Sequence, residues 1–347
     1  MMRILLIKRG AIGDLLMATP LIRQLKQKTG CQLDLLVGQS AATAIKDNPY
    51  IDNSFIIPDS YFAISGVLSF FRALWKLRKN YDYVFLLDKH WYFNLMSHLM
   101  GGKVVGYYRE LFGKLLLNKA VCYNDVNRYH GLYYLDLLTA SSLADADYTD
   151  LKIDLVITDS DKDFVNNLVQ EYMLNNFVIV VNSGGNNAYE KTGLRMLPYN
   201  QIIKLLRALL STNLKIILLG GGNDYSNYDD YIKEFDIGHN ILNLAGKLNL
   251  AQSAYLVSLS QKFYTTDCGA MHLGVAMNLG TRMIAFFGPT NPRHILPACY
   301  LPDSAMWQDE SLYDPQYQLK GVVRHHEPLY FSTLNLTSVV SGAKNPA

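Results

Sequence analysis

The sequence predicts an α/β protein with two doubly wound parallel sheets, and three observations indicate this class. Short apolar runs alternate with segments of helical spacing, as in parallel strands covered by helices on both faces. The alternation stops once, at 141–161, a stretch rich in Asp, Ala and Thr that reads as a linker. The length of 347 residues suits about two domains. Ligands would then bind at the carboxyl ends of the strands, in a cleft between the domains.

In the first half, apolar runs predict five strands and helical periodicity predicts four helices. The strands are expected at 3–8, 33–37, 55–58, 83–88 and 103–107, and the helices at 14–28, 67–79, 91–100 and 129–139. Pro20 lies inside the first helix, where it removes an N–H and strains the preceding turn. Residues 107–130 are aromatic without periodicity, so we expect them to be irregular.

The second half repeats the alternation more regularly. Strands are expected at 177–181, 215–219, 241–244, 262–266 and 282–287, with helices at 198–210, 228–235, 250–260 and 270–278. From residue 303 the periodicity is weak, and the end beyond Ser341 is expected to be disordered. We therefore predict an N-terminal domain at 1–157, a C-terminal domain at 158–310, and a tail at 311–347 that packs back on the first domain.

The composition indicates whether the protein spans a membrane, is secreted, or depends on disulfides or zinc. No apolar run reaches the ~18 residues that a membrane-spanning helix needs. The chain runs straight into the strand-like Ile4–Ile7 without a charged and apolar leader, so we expect no signal peptide. Its four cysteines are widely spaced and form no Cys-x-x-Cys, which favours a reduced, cytoplasmic setting without disulfides or structural zinc.

The net charge of +2 conceals an uneven distribution. Residues 1–120 hold 16 Lys and Arg against 8 Asp and Glu, a net +8, whereas 121–347 hold 16 against 22, a net −6. In the basic half, aromatic and basic side chains are interleaved: Phe70, Phe71, Arg72, Trp75, Lys76, Arg78, Lys79, Lys103, Tyr107, Tyr108, Arg109, Phe112, Lys114 and Lys119. Such a face suits an anionic binding partner: a membrane surface, a phosphorylated glycolipid or nucleic acid. A solvated surface above an aromatic core produces the same pattern.

The segment 267–292 carries the strongest indication of function. A strand ends at Asp267, Gly269 permits a sharp turn into a short buried helix, and a second strand ends before Gly288-Pro289-Thr290. Free N–H groups at such a helix start bind anions, typically a diphosphate. A tight turn without any ligand explains the same residues.

The first loop, Lys8 to Leu15, joins a strand to a helix through Gly10 and Gly13, with Asp14 in the first turn of the helix. Two interpretations of Asp14 stand at this point. The helix dipole favours a carboxylate there, so Asp14 is a cap. Alternatively, the misplaced Pro20 marks a functional site and Asp14 is a reactive group.

Two loops of the second half have residue types that suit a nucleotide. The run Asn182-Ser183-Gly184-Gly185-Asn186-Asn187 lets backbone approach a ligand, and Arg195 ahead of the next helix suits a phosphate. Gly220-Gly221-Gly222 precedes Asp224, which suits ribose hydroxyls. A surface arginine and a loop aspartate explain both equally well.

The sequence lacks the motifs that are typical of several other functions. No Gly-x-Gly-x-x-Gly follows a predicted strand, which counts against a nicotinamide enzyme. Asp145-x-Asp147 and Asp159-x-Asp161 lie in the predicted linker, where we expect solvated turns. No His, Cys and carboxylate cluster has metal-ligand spacing, and no nucleic-acid motif is present.

These stretches resemble glycosyltransferase family 9, the ADP-heptose:lipopolysaccharide heptosyltransferases, over residues 2–295. The matching pieces in chain order are Arg9-x-x-x-Gly13-Asp14 with Pro20 and Leu25-Lys26, Arg195-x-x-Pro198, Gly220-x-x-x-Asp224, Leu244-x-Gly246-Lys247-Leu248-x-Leu250, Asp267-x-Gly269-x-Met271-His272-Leu273 and Phe287-Gly288-Pro289-Thr290-x-Pro292. The resemblance implies a GT-B fold, in which two Rossmann-like domains face each other across a cleft. The first would bind the acceptor and the second the nucleotide-sugar.

The resemblance also implies roles for individual residues. Asp14 matches the general base, Arg195 a donor-phosphate ligand that is often Lys, and Asp224 a ribose ligand that is often Glu. Ser183 is a further donor-binding residue, and Lys247 and Leu248 match the loop beside the adenine. Asp267 matches a residue that contacts the sugar hydroxyls. The diphosphate turn consists of Cys268, Gly269, Ala270, Met271 and His272. The acceptor-side loop is Arg9, Gly10 and Gly13. The loop 186–194 is longer than in many members, and little beyond Pro297 matches.

The implied reaction is an inverting, metal-independent transfer of a heptose-like sugar from a nucleoside-diphosphate donor, ADP-heptose, to a lipopolysaccharide core or other lipid-linked saccharide, without a cofactor. A cytoplasmic monomer in peripheral contact with the inner membrane is expected, with no nucleic-acid partner. Two alternatives stay open. One is a nucleotide-sugar epimerase or a transferase of another sugar, and an epimerase needs no acceptor. The other is a non-catalytic nucleotide-sugar or glycolipid-binding protein.

Overall fold

The computed structural model of the protein describes residues 1–59, 64–89, 91–98, 100–124, 127–184, 193–235, 240–307, 310–313 and 330–341. The chain divides into two compact units, Met1–Val156 and Ile157–Ala347. Each unit contains one six-stranded sheet, and every strand pair in both sheets is parallel. Within those ranges no helix has the length and apolar character to cross a membrane.

The first unit alternates strands with helices, and its strand order is β3-β2-β1-β4-β5-β6. The strands are β1 (Arg3–Lys8), β2 (Gln32–Gly38), β3 (Asn53–Ile57), β4 (Tyr83–Leu86), β5 (Lys103–Tyr108) and β6 (Lys119–Cys122). The helices are α1 (Ile12–Thr29), α2 (Ile64–Leu77), α3 (Trp91–His98), α4 (Leu111–Leu115) and α5 (His130–Ser141). Every strand and helix predicted in this half is present, with its ends shifted by up to a few residues.

The direction of each crossover places the helices of the first unit on two faces. The connections through α2, α3 and α4 all run toward β6, so right-handed crossovers place these three helices on one face of the sheet. The connection through α1 runs the other way, and α1 packs against α5 on the opposite face. Residues 107–130, expected to be irregular, contain α4 and β6. Both are short and largely exposed, so they leave no periodic apolar pattern.

The second unit has the strand order β12-β11-β10-β7-β8-β9. Its strands are β7 (Phe177–Val181), β8 (Lys215–Leu218), β9 (Ile241–Asn243), β10 (Lys262–Thr266), β11 (Met283–Phe287) and β12 (Ala305–Trp307). Its helices are α6 (Asp159–Glu171), α7 (Tyr199–Leu210), α8 (Tyr225–Lys233), α9 (Leu250–Leu259), α10 (Met271–Ala276), α11 (Pro292–Ile295), α12 (Leu301–Ser304) and α13 (Leu336–Ser341), with a 3-10 turn at Gly222–Asp224. All strands and helices predicted for this half are present. The helices α6, α11, α12 and α13 and the strand β12 are additional.

Helix α6 corrects the prediction for the end of the linker. Asp159-x-Asp161, expected to be a solvated turn, forms the first helical turn. The Thr158 side chain accepts the Asp161 N–H, and the Asp161 side chain accepts the Thr158 N–H, which completes a capping box. Only Val165 of this helix is buried, so its charged surface lacks the apolar periodicity that identifies a helix.

The described part of the tail belongs to the second unit. Helix α13 packs against α7, and Leu334, Leu336 and Val339 join the apolar core around Ile202. The expected packing of the tail on the first domain stays a prediction. The apolar side chains of this segment complete the face that α7 presents, and such burial stabilises the unit. Residues 314–329 and 342–347 lie outside the described ranges.

Candidate active site

Both sheets have a topological switch point, where the strand order reverses around the first strand of the unit. In the first unit it lies between β1 and β4, and in the second between β7 and β10. Open α/β sheets bind ligands at the carboxyl ends of the strands beside such a point. The loops after these four strands are therefore the candidate sites, and they contain most of the residues that the sequence singled out.

A buried lysine links two carboxylates at the first switch point. The Lys8 Nζ donates to Asp14 Oδ2 at 3.0 Å and to Asp88 Oδ1 at 3.1 Å. Burial alone would lower the pKa of Lys8, but the two carboxylates more than offset it and raise that pKa above its usual value. The second oxygen of Asp88 accepts the backbone N–H of Arg9 at 3.1 Å. This network joins the ends of two neighbouring strands.

Asp14 is the most exposed member of the network. Its side chain is 34% exposed, against 4% for Lys8 and 12% for Asp88. The N-cap position of α1 is Ala11, which forms no side-chain cap, and Asp14 lies in the first turn of the helix. The neighbouring ammonium favours the ionised carboxylate. A carboxylate that an ammonium group anchors and that a ligand can reach can accept a hydrogen bond and a proton from a ligand hydroxyl.

The acceptor-side loop is held in place mainly through Arg9. This residue is buried, and its guanidinium carbon lies 4.8 Å from the ring centroid of Phe93 and 5.4 Å from that of Phe70. Gly13 is buried in the first turn of α1, whereas Gly10 is partly exposed. Arg9 thus fixes the loop on α2 and α3, and it leaves Gly10 and Asp14 at the surface.

Lys89 is a component of this site that the sequence analysis missed. Its Nζ donates to the Tyr123 hydroxyl at 2.8 Å, and that oxygen lies 3.0 Å from His130 Nδ1. Burial lowers the pKa of Lys89 to about 7, although the Asp14 charge opposes the shift. Lys89 follows β4 as Asp14 follows β1. That shared position at a switch point is the signal that could have found it.

Residues at or just after the carboxyl ends of three strands of the second unit converge on Ser183. The backbone N–H of Ser183 donates to Thr266 Oγ1 at 3.1 Å, and Thr266 Oγ1 donates to the Ser183 carbonyl at 2.6 Å. Asp224 Oδ2 accepts the Gly221 N–H at 2.9 Å. Burial raises the pKa of Asp224, while the Gly221 N–H and the Ser183 hydroxyl oppose that rise. Residues 185–192 of the predicted ligand loop lie outside the described ranges.

A fourth loop meets this group at Gly246. Its N–H donates to the Gly220 carbonyl at 2.9 Å, and its φ of +71° lies in the left-handed region. A Cβ at this position would lie 2.8 Å from the Cα of Gly222, so only glycine allows the two backbones to touch. Lys247 is exposed and Leu248 is partly buried. The Lys247 Nζ lies 5.8 Å from the ring centroid of Tyr225, the residue directly after the Gly220–Asp224 turn.

Asp267 and Arg195 form an ion pair in the second unit. The Arg195 Nη1 lies 3.7 Å from Asp267 Oδ2, and their side chains are 15% and 5% exposed. Among the described residues, no donor forms a hydrogen bond to this buried oxygen of Asp267. Buried polar atoms are normally satisfied, so the oxygen suits a ligand hydroxyl.

In the turn predicted to hold a diphosphate, the N–H groups that lack an acceptor among the described residues are not those at the start of the helix. Helix α10 begins only at Met271, whose N–H donates to the Cys268 carbonyl at 3.1 Å, while the His272 N–H donates to the Gly269 carbonyl at 3.3 Å. Burial raises the pKa of the Cys268 thiol, and the backbone N–H groups of Ala270 and Met271 oppose that rise. Within the described residues, the N–H groups of Cys268 and Gly269 have no acceptor. Gly269 and Ala270 are partly exposed, so the corner is open to a ligand.

No set of three or more His, Cys, Asp or Glu side chains is arranged to hold a metal ion among the residues that the structure describes. The charged clusters instead pair acids with Lys8 and Arg195. What these sites offer a ligand is therefore carboxylates, an arginine, a lysine and backbone amides.

Comparison with known proteins identifies the family. The model of glycosyltransferase family 9 (heptosyltransferase) matches residues 67–307. Lipooligosaccharide heptosyltransferase 2 of Haemophilus influenzae is 25% identical over 311 residues, which covers 85% of this chain and 86% of that protein.

Solved structures agree with that match at the level of the fold. The E. coli ADP-heptose LPS heptosyltransferase II has a TM-score of 0.68 at 18% identity, covering 88% of this chain and 90% of that one. A family 9 glycosyltransferase from Veillonella parvula has a TM-score of 0.74 at 16% identity, covering 98% and 95%. The predicted fold class, GT-B with two parallel-sheet α/β domains, is confirmed. The chain belongs to glycosyltransferase family 9, the heptosyltransferases, and is an enzyme of the glycosyltransferase class.

Proposed function

We propose that this enzyme transfers a heptose from ADP-heptose to a hydroxyl of a lipopolysaccharide core or a related lipid-linked saccharide, with inversion and without a metal ion. Family membership supports heptose transfer. The names of two relatives, a lipooligosaccharide heptosyltransferase and an ADP-heptose LPS heptosyltransferase, support this donor and this acceptor. The observation that carries the proposal is the accessible Asp14 carboxylate anchored by Lys8.

In this proposal Asp14 is the general base. The acceptor oxygen attacks the anomeric carbon of the heptose, and its proton passes to the Asp14 carboxylate. General-base catalysis of this kind contributes ~10²–10⁴-fold to the rate. Because Lys8 stabilises the carboxylate, Asp14 is a weak base, so we expect proton transfer late in the reaction.

The donor is assigned to the second switch point. As the bond from the anomeric carbon to the diphosphate oxygen breaks, the electron pair stays on ADP and the negative charge there grows. The Arg195 guanidinium and the amides of Cys268 and Gly269 are the groups that we propose stabilise this charge. Asp267 would accept sugar hydroxyls, Asp224 the ribose hydroxyls, and Lys247 with Leu248 would lie beside the base.

The proposal is tested by assaying Asp14→Asn with ADP-heptose and a heptose-free core acceptor. The amide keeps the shape of the side chain but cannot take the proton, so turnover should fall by ~10²–10⁴-fold while ADP affinity stays nearly unchanged. Asp163→Asn is the matched control, because Asp163 is an exposed carboxylate on α6. Wild-type turnover in Asp14→Asn would remove Asp14 from the reaction.

The same assay checks the finer parts of the proposal. Turnover should persist in excess chelator, and the product should have the anomeric configuration opposite to that of the donor. An epimerase would alter the donor with no acceptor present. Thermal-shift measurements should give a larger stabilisation by ADP than by UDP or GDP, and a preference for either of the latter would reject ADP-heptose as the donor.

A further inference from the structure

Three consecutive helices of the first unit form an exposed apolar layer. In the described part of that unit, eight of eleven exposed large apolar side chains lie on these helices. We call them the α2–α4 surface: Leu68, Phe71 and Trp75 on α2, Trp91 and Leu95 on α3, and Leu111, Phe112 and Leu115 on α4. Adjacent helices in this series contact each other, and all three cover the same face of the sheet. Exposed apolar residues clustered in this way mark an interaction site.

Helix α2 has two apolar faces rather than one. Phe70 and Leu74 are buried on the sheet, as a core-facing stripe requires. Leu68, Phe71 and Trp75 recur at spacings of three and four residues, so they form a second stripe that points away from the core. The rings of Phe71 and Trp75 are stacked with centroids 5.9 Å apart, and those of Trp91 and Phe112 lie 5.7 Å apart.

The charged side chains of the three helices are all basic, and the exposed acidic residue Glu110 directly precedes α4. The segments 64–77, 91–98 and 111–115 contain no Asp or Glu. Arg72 and Lys76 are exposed beside the α2 stripe, and the Arg78 guanidinium carbon lies 3.3 Å from the Trp75 ring centroid. A second copy docking symmetrically through this patch would bring basic side chains to both sides of the interface, and these helices supply no acidic side chain to pair with them. Lipid headgroups of negative charge complement them, and Trp, Phe and Leu beside Lys and Arg are typical of helices that lie in a membrane interface.

We propose that the α2–α4 surface binds an anionic lipid bilayer, with its apolar side chains in the headgroup region and its basic side chains on the lipid phosphates. This proposal deepens the proposed function, since it names the surface on which a lipid-linked acceptor is met. Arg9 connects the two, because its guanidinium packs on Phe70 of α2 and Phe93 of α3, beneath the exposed stripe. The acceptor-side loop is thus separated from the surface by about one helix diameter, ~10 Å.

Vesicle co-sedimentation of the full chain tests the proposal. Phosphatidylcholine vesicles are compared with vesicles in which about a third of the lipid is phosphatidylglycerol, at low and high salt. We expect binding only to the anionic vesicles, and weaker binding at high salt. Phe71→Ser/Trp75→Ser should weaken it about tenfold or more, because two aromatic side chains no longer insert. Arg72→Gln/Lys76→Gln should weaken it about fivefold for each charge removed.

A matched control comes from the second unit. Phe164 and Met173 are exposed apolar residues there, so Phe164→Ser/Met173→Ser should bind anionic vesicles like the wild type. Thermal melting and ADP binding of each variant report whether it has folded. Absence of wild-type binding, or equal binding by all variants, would overturn the proposal. So would a concentration-dependent dimer that Phe71→Ser/Trp75→Ser dissociates, with no vesicle binding, since the surface would then join two copies.

The vesicles contain no saccharide and the assay contains no donor. Membrane binding without sugar transfer would therefore contradict only the proposed function. Transfer to a short soluble acceptor without membrane binding would contradict only the proposal that the α2–α4 surface binds a bilayer.

Discussion

The two switch points share one strand order but differ in the groups that they present. At the first, Lys8, Asp14, Asp88 and Lys89 bring charged side chains to the ends of β1 and β4. At the second, a small hydroxyl residue, glycine backbones and one acid–arginine pair surround the ends of β7 and β10. The sheet order decides where a ligand binds, and the loop residues decide what chemistry is available. The first suits proton transfer, and the second suits close contact with a polar, anionic ligand.

The largest expected effect breaks the charged network of the first switch point. Lys8→Met leaves the largely buried Asp88 without its cation, which should destabilise the fold by about 3–5 kcal/mol in chemical denaturation. Lys26→Met is the control, because the Lys26–Asp52 pair is partly exposed and should cost about 0.2–1 kcal/mol. Because the pKa of Lys8 is raised, its contribution is present below the unfolded-state pKa and is lost as pH rises above it. A loss no larger than that of the control would mean that the network stabilises nothing.

A second test concerns the close contact between the backbones of Gly246 and Gly222 on the donor side. Gly246→Ala forces a side chain at φ +71° and places its Cβ 2.8 Å from the Gly222 backbone. We expect a loss of about 1–2 kcal/mol from the dihedral and about 1–3 kcal/mol from the overlap, with weaker ADP binding. Gly280→Ala is the control, since its φ is +55° and a Cβ there meets nothing within 4 Å. Equal losses in thermal unfolding would show that the backbone contact is unimportant.

Arg195→Met should act mainly on donor binding. Loss of a charge-assisted contact to the diphosphate should weaken ADP about 10–100-fold by calorimetry. Arg195→Lys should lose less, since a cation remains. Arg207→Met, an exposed position on α7, should bind ADP like the wild type. If Arg195→Met binds ADP as tightly as the wild type, Arg195 does not contact the diphosphate and its role is the ion pair with Asp267.

The smallest effect, taken for each pH unit, is a pH slope set by Lys89. Its pKa is about 7 in the folded state, below the value of an exposed lysine, ~10.4. Between these values only the unfolded chain binds the proton, so wild-type stability gains up to ~1.4 kcal/mol per pH unit from this group. Lys89→Met lacks that gain, and its stability relative to wild type should fall from pH ~7 to ~9 in urea unfolding. The exposed Lys204→Met should show no such trend, and a flat difference for Lys89→Met would contradict the depressed pKa.

The sequence predicted most strands because apolar runs such as Ile4–Ile7 are buried on both faces and require no long-range information. Helix α6 escaped detection because its only buried side chain is Val165, although Thr158 and Asp161 form a capping box that is visible in the sequence. The edge strand β6 is half exposed and short, so burial left no pattern to read.

The site could be predicted only in part. Asp14 and Asp267 stand out because each follows an apolar run at a glycine turn. The partnership of Lys8 with Asp88 joins residues 80 positions apart, so it depends on which strands are neighbours. The same is true of Lys89 and Tyr123. The bonded amides of Met271 and His272 depend on where α10 begins, which propensity does not determine to one residue.

Hydrogen–deuterium exchange with and without ADP tests the comparison between the two switch points most directly. We expect ADP to protect amides after β7, at Gly220–Asp224, at Gly246–Leu248 and at Cys268–Gly269, because these loops are assigned to the donor. The loops after β1 and β4 should be protected less. Protection confined to 8–14 and 86–89, with none at Cys268 and Gly269, would contradict the assignment of donor and base to the two units.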